Sequence, residues 1–281
     1  MSVLDIPAQP RTWLGRLRWT LRDGWTVTRR EFGHIRYEPG QLAGALIFPA
    51  VMVVLFGYVF GSAIEVPGGG SYREYLMPGL FAMTSVIGLL PSALMVSKDV
   101  AEGVVDRFRS MPMARSAVPF GRTLADLLTG TIGLAIMAAI GLLVGWRARD
   151  GIASAAAAFG LVTLLRYALS WGGVFMGLSM RPETVDAFVP LVFPVTMISN
   201  SFVPTTGMPD WLRTIADWNP VSALIAACRQ LFGNPGAAAA HASWPLQHPI
   251  TATIGWSLLL LAVFVPLATS RYQAGHRGGR R

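Results

Sequence analysis

Residues 98–122 of the chain read KDVAEGVVDRFRSMPMARSAVPFGR, a charged stretch within an otherwise apolar sequence. At helical spacing its charged residues fall on one face and its apolar residues on another: Asp99, Glu102, Asp106 and Arg109 against Val100, Val104, Phe108 and Met111. Pro112 cannot continue a helix, so the pattern predicts an amphipathic helix that ends there. Two interpretations stay open: a surface that binds another protein, or a loop helix resting on lipid headgroups.

The composition predicts an all-α polytopic membrane protein. The 281 residues are 53% hydrophobic and 14% charged, whereas a soluble domain carries about 25% charged residues. The apolar residues also lie in long blocks, as membrane helices require. Cys228 is the single cysteine, which excludes an intrachain disulfide and a cysteine-based zinc site.

Six apolar stretches predict membrane spans, at about residues 42–60, 75–97, 123–146, 152–180, 187–203 and 250–269. They make up a predicted transmembrane domain over residues 40–270, between an N-terminal region, 1–39, and a basic tail, 271–281. Several prolines interrupt the less hydrophobic region before span six. The apolar piece at 219–232 is too short to cross, so it predicts a re-entrant or interfacial helix.

Basic residues predict the orientation. Residues 11–37 combine an apolar stripe with seven arginines and predict an amphipathic helix at the membrane interface. A nucleic-acid-binding arm is disfavoured because a span follows directly. Seventeen Lys and Arg residues lie on the side of the N-terminus, the 98–122 stretch, the turn at Arg181 and the tail, and five on the opposite side. The positive-inside rule therefore predicts that both termini are cytoplasmic.

Polar residues inside predicted spans are candidate functional residues. Arg166 lies near the middle of span four, about 21 Å from the cytoplasmic side at 1.5 Å per residue. A direct pair with Asp126, one turn into span three, is therefore not expected. Arg166 either lines a polar cavity or extends outward to the interface. Near the outer end of span five, a polar cluster either bonds neighbouring helices or contacts a transported molecule: Thr196, Ser199, Asn200 and Ser201.

The motifs support neither an ATPase nor an intramembrane serine protease. The phosphate-binding loop of ATPases needs the pattern GxxxxGK[ST], and the one lysine, Lys98, lies between Ser97 and Asp99. Any ATP-driven activity therefore needs a partner that hydrolyses ATP. The sequence Gly177-Leu-Ser179 suggests a serine nucleophile, but no histidine lies inside a predicted span to act as its base. Paired small residues such as Gly173 and Gly177 instead predict close helix packing, which is expected within one subunit, with a dimer interface as the less favoured alternative.

Several motifs resemble the ABC-2-type transporter permeases of the daunorubicin/doxorubicin-resistance group. The most specific is DRFRSMP at 106–112, between spans two and three and preceded by Lys98-Asp99 and Glu102-Gly103. Further matches are EYLMPG at 74–79, GRTLAD at 121–126, RPE at 181–183, FVP at 202–204, MPDWL at 208–212 and NP at 219–220. The resemblance covers about residues 40–270.

This resemblance implies six spans, an N-terminal connecting helix, a cytoplasmic coupling helix between spans two and three, and re-entrant half-helices before span six. It also implies a dimer, with a second permease copy or a paralogue, that works with two copies of a separate ATPase subunit. ATP and Mg would bind that ATPase, and this chain would bind no cofactor and have no catalytic site.

Carried over by position, the ATPase-coupling residues are Asp99, Val100, Glu102, Gly103, Val104, Asp106, Arg107, Phe108, Arg109 and Met111. The connecting-helix residues are Trp25, Arg29, Arg30 and Phe32. The candidate substrate path consists of Arg166, Thr196, Ser199 and Asn200, although Arg166 is not part of the family pattern.

The implied function is export of an amphipathic drug or lipid-like substrate across the plasma membrane by a multi-pass permease subunit, with membrane lipid as a further contact and no nucleic acid. Two alternatives stay open. In the first, the exported substrate is a polysaccharide or cell-wall lipid. In the second, the protein transports nothing and anchors a cytoplasmic partner.

Overall fold

A computed structural model of the chain describes residues 15, 19, 22–26, 28–29, 47, 50–59, 69, 71–110, 114, 116–202, 205–234 and 243–278. Every regular element among these residues is helical. Three predicted contact residues, Arg30, Phe32 and Met111, lie outside the described residues, as do Pro112 and most of the predicted N-terminal helix.

The helices are, in chain order, α1 (Ala50–Val59), α2 (Tyr72–Ile87), α3 (Leu89–Ala101), α4 (Val104–Ser110), α5 (Ala117–Val144), α6 (Gly151–Ser179), α7 (Pro182–Asp186), α8 (Val189–Met197), α9 (Asp210–Trp218), α10 (Pro220–Phe232), α11 (Trp244–Gln247) and α12 (Pro249–Gly278). A short 3₁₀ turn, Thr205–Gly207, precedes α9. Helices α2 and α3 follow one another with a break at Gly88.

Four helical stretches within the described residues are long and apolar enough to cross a membrane: Tyr72–Ala101, Ala117–Val144, Gly151–Ser179 and Pro249–Ala274. They overlap the predicted spans two, three, four and six. The first of them is α2 and α3 together. The long apolar runs form helices because a helix satisfies its backbone hydrogen bonds internally, which a lipid environment demands.

In the regions of predicted spans one and five, the described residues include no helix long enough to cross a membrane. Only ten consecutive helical residues of span one are described, Ala50–Val59. In place of a continuous span five the structure has α8, which is nine residues long. That length covers roughly 14 Å, less than half of a hydrocarbon core of about 30 Å. Pro194 interrupts the ladder, and the Ser199 hydroxyl then donates to the Thr196 carbonyl, a local bond that competes with a helix.

Helix α6 is the centre of the bundle. It packs most extensively against α12 and α3, and also contacts α5, α10 and α2. Two glycines allow the close approach to α3, because a Cβ at Gly173 would lie 2.7 Å from the Leu89 carbonyl and one at Gly177 would overlap the Ala93 carbonyl. This glycine pair therefore packs within one subunit, as the spacing predicts.

An aromatic cluster joins α2, the α5–α6 loop, α6 and α10. Phe81 of α2, Trp146 of the α5–α6 loop, Phe159 of α6 and Phe232 of α10 pack ring to ring, with the Trp146 and Phe232 centroids 4.9 Å apart. Arg149 of the same loop bonds the buried Glu74 carboxylate at 2.6 Å. The α5–α6 loop is thereby fixed to α2 and α10.

Candidate functional site

The predicted coupling helix, residues 100–111, does not form one continuous helix in the structure. Helix α3 continues to Ala101, and α4 starts at Val104. Between them Gly103 has a φ of +72°, in the left-handed region that favours glycine. Asp99 and Val100 therefore belong to the end of the long span, and the expectation of one helix is wrong because the left-handed turn ends α3.

Helix α4 and the turn before it carry exposed polar residues. We name Glu102 of the turn and Asp106 and Arg107 of α4 the coupling surface, after the role predicted for them, and their side chains are all exposed. Val105 is buried on the opposite side of α4, and Val104 and Phe108 are half-buried. Val100, predicted to lie on the apolar face, is exposed instead, because the break at Gly103 changes the helical register. Arg109 lies in α4.

Helix α4 covers a groove between the adjoining ends of α3, α5, α6 and α12. Its lining is mostly apolar: Val96, Asp99, Val105, Phe108, Val118, Pro119, Arg122, Val174, Leu178 and Tyr272. In the groove the Arg122 guanidinium pairs with the Asp99 carboxylate at 3.3 Å. Asp99, which was predicted to contact an ATPase, thus joins the end of α3 to the start of α5.

The described part of the predicted connecting helix contacts the same region. The Asp23 carboxylate accepts a hydrogen bond from the Ala114 amide at 3.0 Å, and the Thr28 hydroxyl donates to the Gly121 carbonyl at 3.0 Å. Gly24 allows close packing, since a Cβ there would lie 2.7 Å from the Phe120 ring. Trp25 and Arg29 are exposed. The N-terminal segment is therefore attached to the loop after α4 and to the start of α5.

Arg166 pairs with Asp126, contrary to the expectation from predicted depths. The Arg166 Nη2 and Asp126 Oδ1 atoms are 3.1 Å apart. Helix α5 begins at Ala117, six residues before the predicted start of the span, so Asp126 lies well inside its helix and not one turn from its start. Both side chains lie between helices, so neither extends outward to the interface.

The polar cluster after α8 makes hydrogen bonds between segments. Asn200 donates from its side-chain amide to the Ser222 carbonyl and from its backbone to the Ser222 hydroxyl, both at 3.3 Å. The Ser199 and Ser201 hydroxyls are 2.6 Å apart. Thr196 is buried beside them. These bonds favour the packing interpretation of the cluster, and its contact with a substrate stays a prediction.

Arg229 was not among the predicted functional residues, and it is one of the five basic residues assigned above to the side opposite the termini. Arg229 of α10 is 1% exposed. Its guanidinium lies 3.6 Å from the centre of the Tyr75 ring and donates to the carbonyls of Tyr75, Asn200 and Ser201. The available signal was an arginine within an apolar stretch, the same signal that singled out Arg166.

Comparison with known proteins gives the family. The family model for the ABC-2 type transporter matches residues 22–232. A daunorubicin resistance ABC transporter permease protein, DrrB1, of Streptomyces coeruleorubidus is 29% identical over 241 residues, which cover 85% of this chain and 81% of that protein. In Mycobacterium tuberculosis, the doxorubicin resistance ABC transporter permease protein DrrB is 26% identical, covering 89% of this chain and 88% of the relative.

A second M. tuberculosis relative, named as a probable doxorubicin resistance ABC transporter permease protein DrrC, is 23% identical over 80% of this chain and 79% of its own length. The family match extends from the N-terminal residues that contact the α5 start to the end of α10, and so includes α4 and both buried arginines. The chain belongs to the ABC-2 type transporter family and is a multi-pass membrane permease subunit.

Proposed function

We propose that the chain is the permease subunit of an exporter whose ATP is hydrolysed by a separate ATPase, and that this ATPase docks on the coupling surface. The observation that carries this proposal is the attachment of α4. It follows a long apolar helix, α2–α3, after a two-residue turn at Glu102 and Gly103. A displacement of α4 therefore acts directly on the end of a span.

The surroundings of α4 support the transmission of force. The Asp99–Arg122 ion pair ties the end of α3 to the start of α5. The N-terminal contacts through Asp23 and Thr28 reach the same start of α5. An ATPase that presses on α4 and on the N-terminal helix together would therefore move two spans at one point.

The proposed cargo is an amphipathic drug or lipid-like molecule that leaves the cytoplasm across the plasma membrane. The names of the relatives, which refer to daunorubicin and doxorubicin resistance, support this class. The excess of basic residues on the side of α4 supports cytoplasmic termini and a cytoplasmic coupling surface. We propose a working unit of two permease chains, identical or paralogous, with two ATPase chains that bind ATP and Mg.

The test reverses the charges of the coupling surface in one variant, Glu102→Lys/Asp106→Lys/Arg107→Glu. We expect the permease to insert normally, and we expect ATPase binding and drug export to fall at least about tenfold, since several surface charges at an interface change sign. The matched control is Arg181→Glu/Glu183→Lys/Asp186→Lys. It also reverses two acids and one base, all exposed, on the same predicted side of the membrane.

Export that survives in the first variant, or that falls equally in both variants, would contradict the docking role. A second readout separates an exporter from a membrane anchor. The ATPase turnover of the purified complex in lipid should respond to amphipathic compounds if the chain transports them. An anchor would bind the ATPase without such a response.

A further inference from the structure

The Arg166 side chain lies at the point where the second apolar span breaks. Helix α2 ends at Ile87 and α3 begins at Leu89. At the break the Gly88 amide donates to the Val86 carbonyl, two residues back, and not to the Thr84 carbonyl, its partner in a regular helix. The Arg166 Nη1 atom donates to that Thr84 carbonyl at 2.8 Å. The guanidinium thus takes the place of the lost backbone donor.

The same guanidinium is bound to a third helix. Its Nη2 atom donates to the Asp126 carboxylate at 3.1 Å, and its Nε atom to the Asp126 carbonyl at 3.4 Å. The Arg166 side chain is 11% exposed and that of Asp126 is 17% exposed. Arg166 of α6 therefore connects α5 with the carbonyl that the break in the α2–α3 span leaves available.

Two glycines make the space for this side chain. A Cβ at Gly88 would lie 2.6 Å from the Arg166 Nη2 atom, and a Cβ at Gly130 of α5 would overlap the Nε and Cζ atoms. The slot therefore accepts the guanidinium only because both positions lack a side chain. One of these glycines is also the residue at which the span breaks.

We propose that Arg166, held by Asp126, is a positioning residue that fixes the angle between α2 and α3 and thereby the position of α4. Buried interhelical hydrogen bonds between charged partners hold a geometry more firmly than apolar contacts, which allow helices to slide. Because α4 is attached to the end of α3, a change of angle at Gly88 moves the coupling surface. This role in coupling rests on the proposed function, whereas the role at the break does not.

The first arm of the test measures the angle alone. Spin labels at Ser71→Cys and Ala101→Cys, both exposed positions, lie at the two ends of the 30-residue span, about 45 Å apart at 1.5 Å per residue. Their distance distribution in lipid nanodiscs reports the angle at the break. The buried Cys228 thiol is not accessible to the label.

The test variant is Arg166→Gln/Asp126→Asn, measured in the labelled chain. Removing both members of a buried charged pair leaves no unpaired charge, so the variant should still fold, at a cost of about 1–3 kcal/mol for a buried acceptor that loses its donor. The introduced glutamine is too short to reach the side chain at position 126 and the Thr84 carbonyl together, so we expect a broader and shifted distance distribution. The single variant Asp126→Asn keeps Arg166 and should show a smaller shift. A distribution identical to that of the unmodified protein in both variants would overturn the proposal.

The second arm measures stimulation of the partner ATPase by the unlabelled permease. We expect the double variant to lose about fivefold or more of this stimulation, the lower end of ordinary coupling between distant sites. The control is Glu74→Gln, which removes the charge of the buried Glu74 carboxylate in its pair with the exposed Arg149, near the start of the same span and away from the break. This control should lower thermal stability and leave both the distance and the stimulation unchanged.

The outcomes separate the two proposals. A permease that leaves ATPase turnover unchanged before any substitution would contradict the proposed function, and the distance measurement would still decide the role of Arg166 at the break. A shifted distance with full stimulation would overturn the claim that this angle sets the position of α4. A shifted distance together with lost stimulation, absent from the Glu74→Gln control, would support it.

Discussion

At the scale of single residues, the two buried arginines show how charge is accommodated in an apolar bundle. Arg166 pairs with a carboxylate, whereas Arg229 is held by three backbone carbonyls and the face of the Tyr75 ring. The carbonyls of Asn200 and Ser201 lie in the bend after α8, where the helical ladder has ended. The Arg229 side chain therefore supplies donors to backbone groups that the bend leaves available.

This role predicts a large loss of stability for Arg229→Met. The thioether side chain occupies similar space but donates no hydrogen bond, so buried carbonyls lose their partners, at about 3 kcal/mol or more in total. The measurement is the midpoint of thermal unfolding of the purified protein in lipid nanodiscs. The control is Arg181→Gln at an exposed position, where we expect a change within about 0.5 kcal/mol. Equal midpoints for both variants would contradict a structural role for Arg229.

At the scale of elements, the turn that separates α3 from α4 makes a second prediction. Gly103 has a φ of +72° and open space where a Cβ would be. Gly103→Ala therefore meets only the backbone cost of the left-handed conformation, about 1–2 kcal/mol. We expect it to weaken ATPase stimulation by displacing α4, and we expect Gly103→Asn, which adopts this conformation more readily, to retain it.

A control for this prediction exists at the other end of α5. Gly145 also has a positive φ, +98°, and open space around a Cβ. Gly145→Ala therefore carries a similar backbone cost far from α4 and should lower stability without weakening ATPase stimulation. Equal stimulation by the Ala and Asn variants of Gly103 would argue against a role for its backbone conformation.

The contact between α3 and α6 makes a third prediction. A Cβ at Gly177 would overlap the Ala93 carbonyl and lie 2.6 Å from the Val96 Cβ. Gly177→Ala should therefore destabilise the bundle by about 1–3 kcal/mol through overpacking. Gly160→Ala, in the same helix with open space around it, should be neutral or stabilising by up to about 1 kcal/mol. Thermal unfolding midpoints measure both, and a destabilised Gly160→Ala would contradict this account of the packing.

At the scale of the whole molecule, the distribution of basic residues predicts an orientation that thiol labelling can check. Ser71 and Thr184 are both exposed, and they lie on opposite predicted sides of the membrane. A membrane-impermeant maleimide should label Ser71→Cys in intact cells and Thr184→Cys only after permeabilisation. The parent chain should stay unlabelled because Cys228 is buried. The reverse pattern would contradict cytoplasmic termini and place the coupling surface outside the cell.

Hydropathy and spacing determined much of the architecture by themselves. Long apolar runs predict the four long helices because, in lipid, length and composition are enough to specify a helix that spans the membrane. Of the polar face predicted from the charged stretch at 98–122, Glu102 and Asp106 are exposed, because polar side chains remain in water, whereas Asp99 pairs with Arg122. The motifs in that stretch also resemble the ABC-2 family, to which the chain belongs.

Only the tertiary structure decided which buried polar groups meet. The Arg166–Asp126 pair depends on how α5 and α6 are placed and rotated against one another. Arg229 reaches the Asn200 and Ser201 carbonyls because α8 ends before them. The split at Gly103 likewise depends on a single left-handed residue that leaves the helical periodicity on either side intact. Sequence periodicity reports which face of a helix is apolar, and the depth and rotation of neighbouring helices determine the partner of each charge.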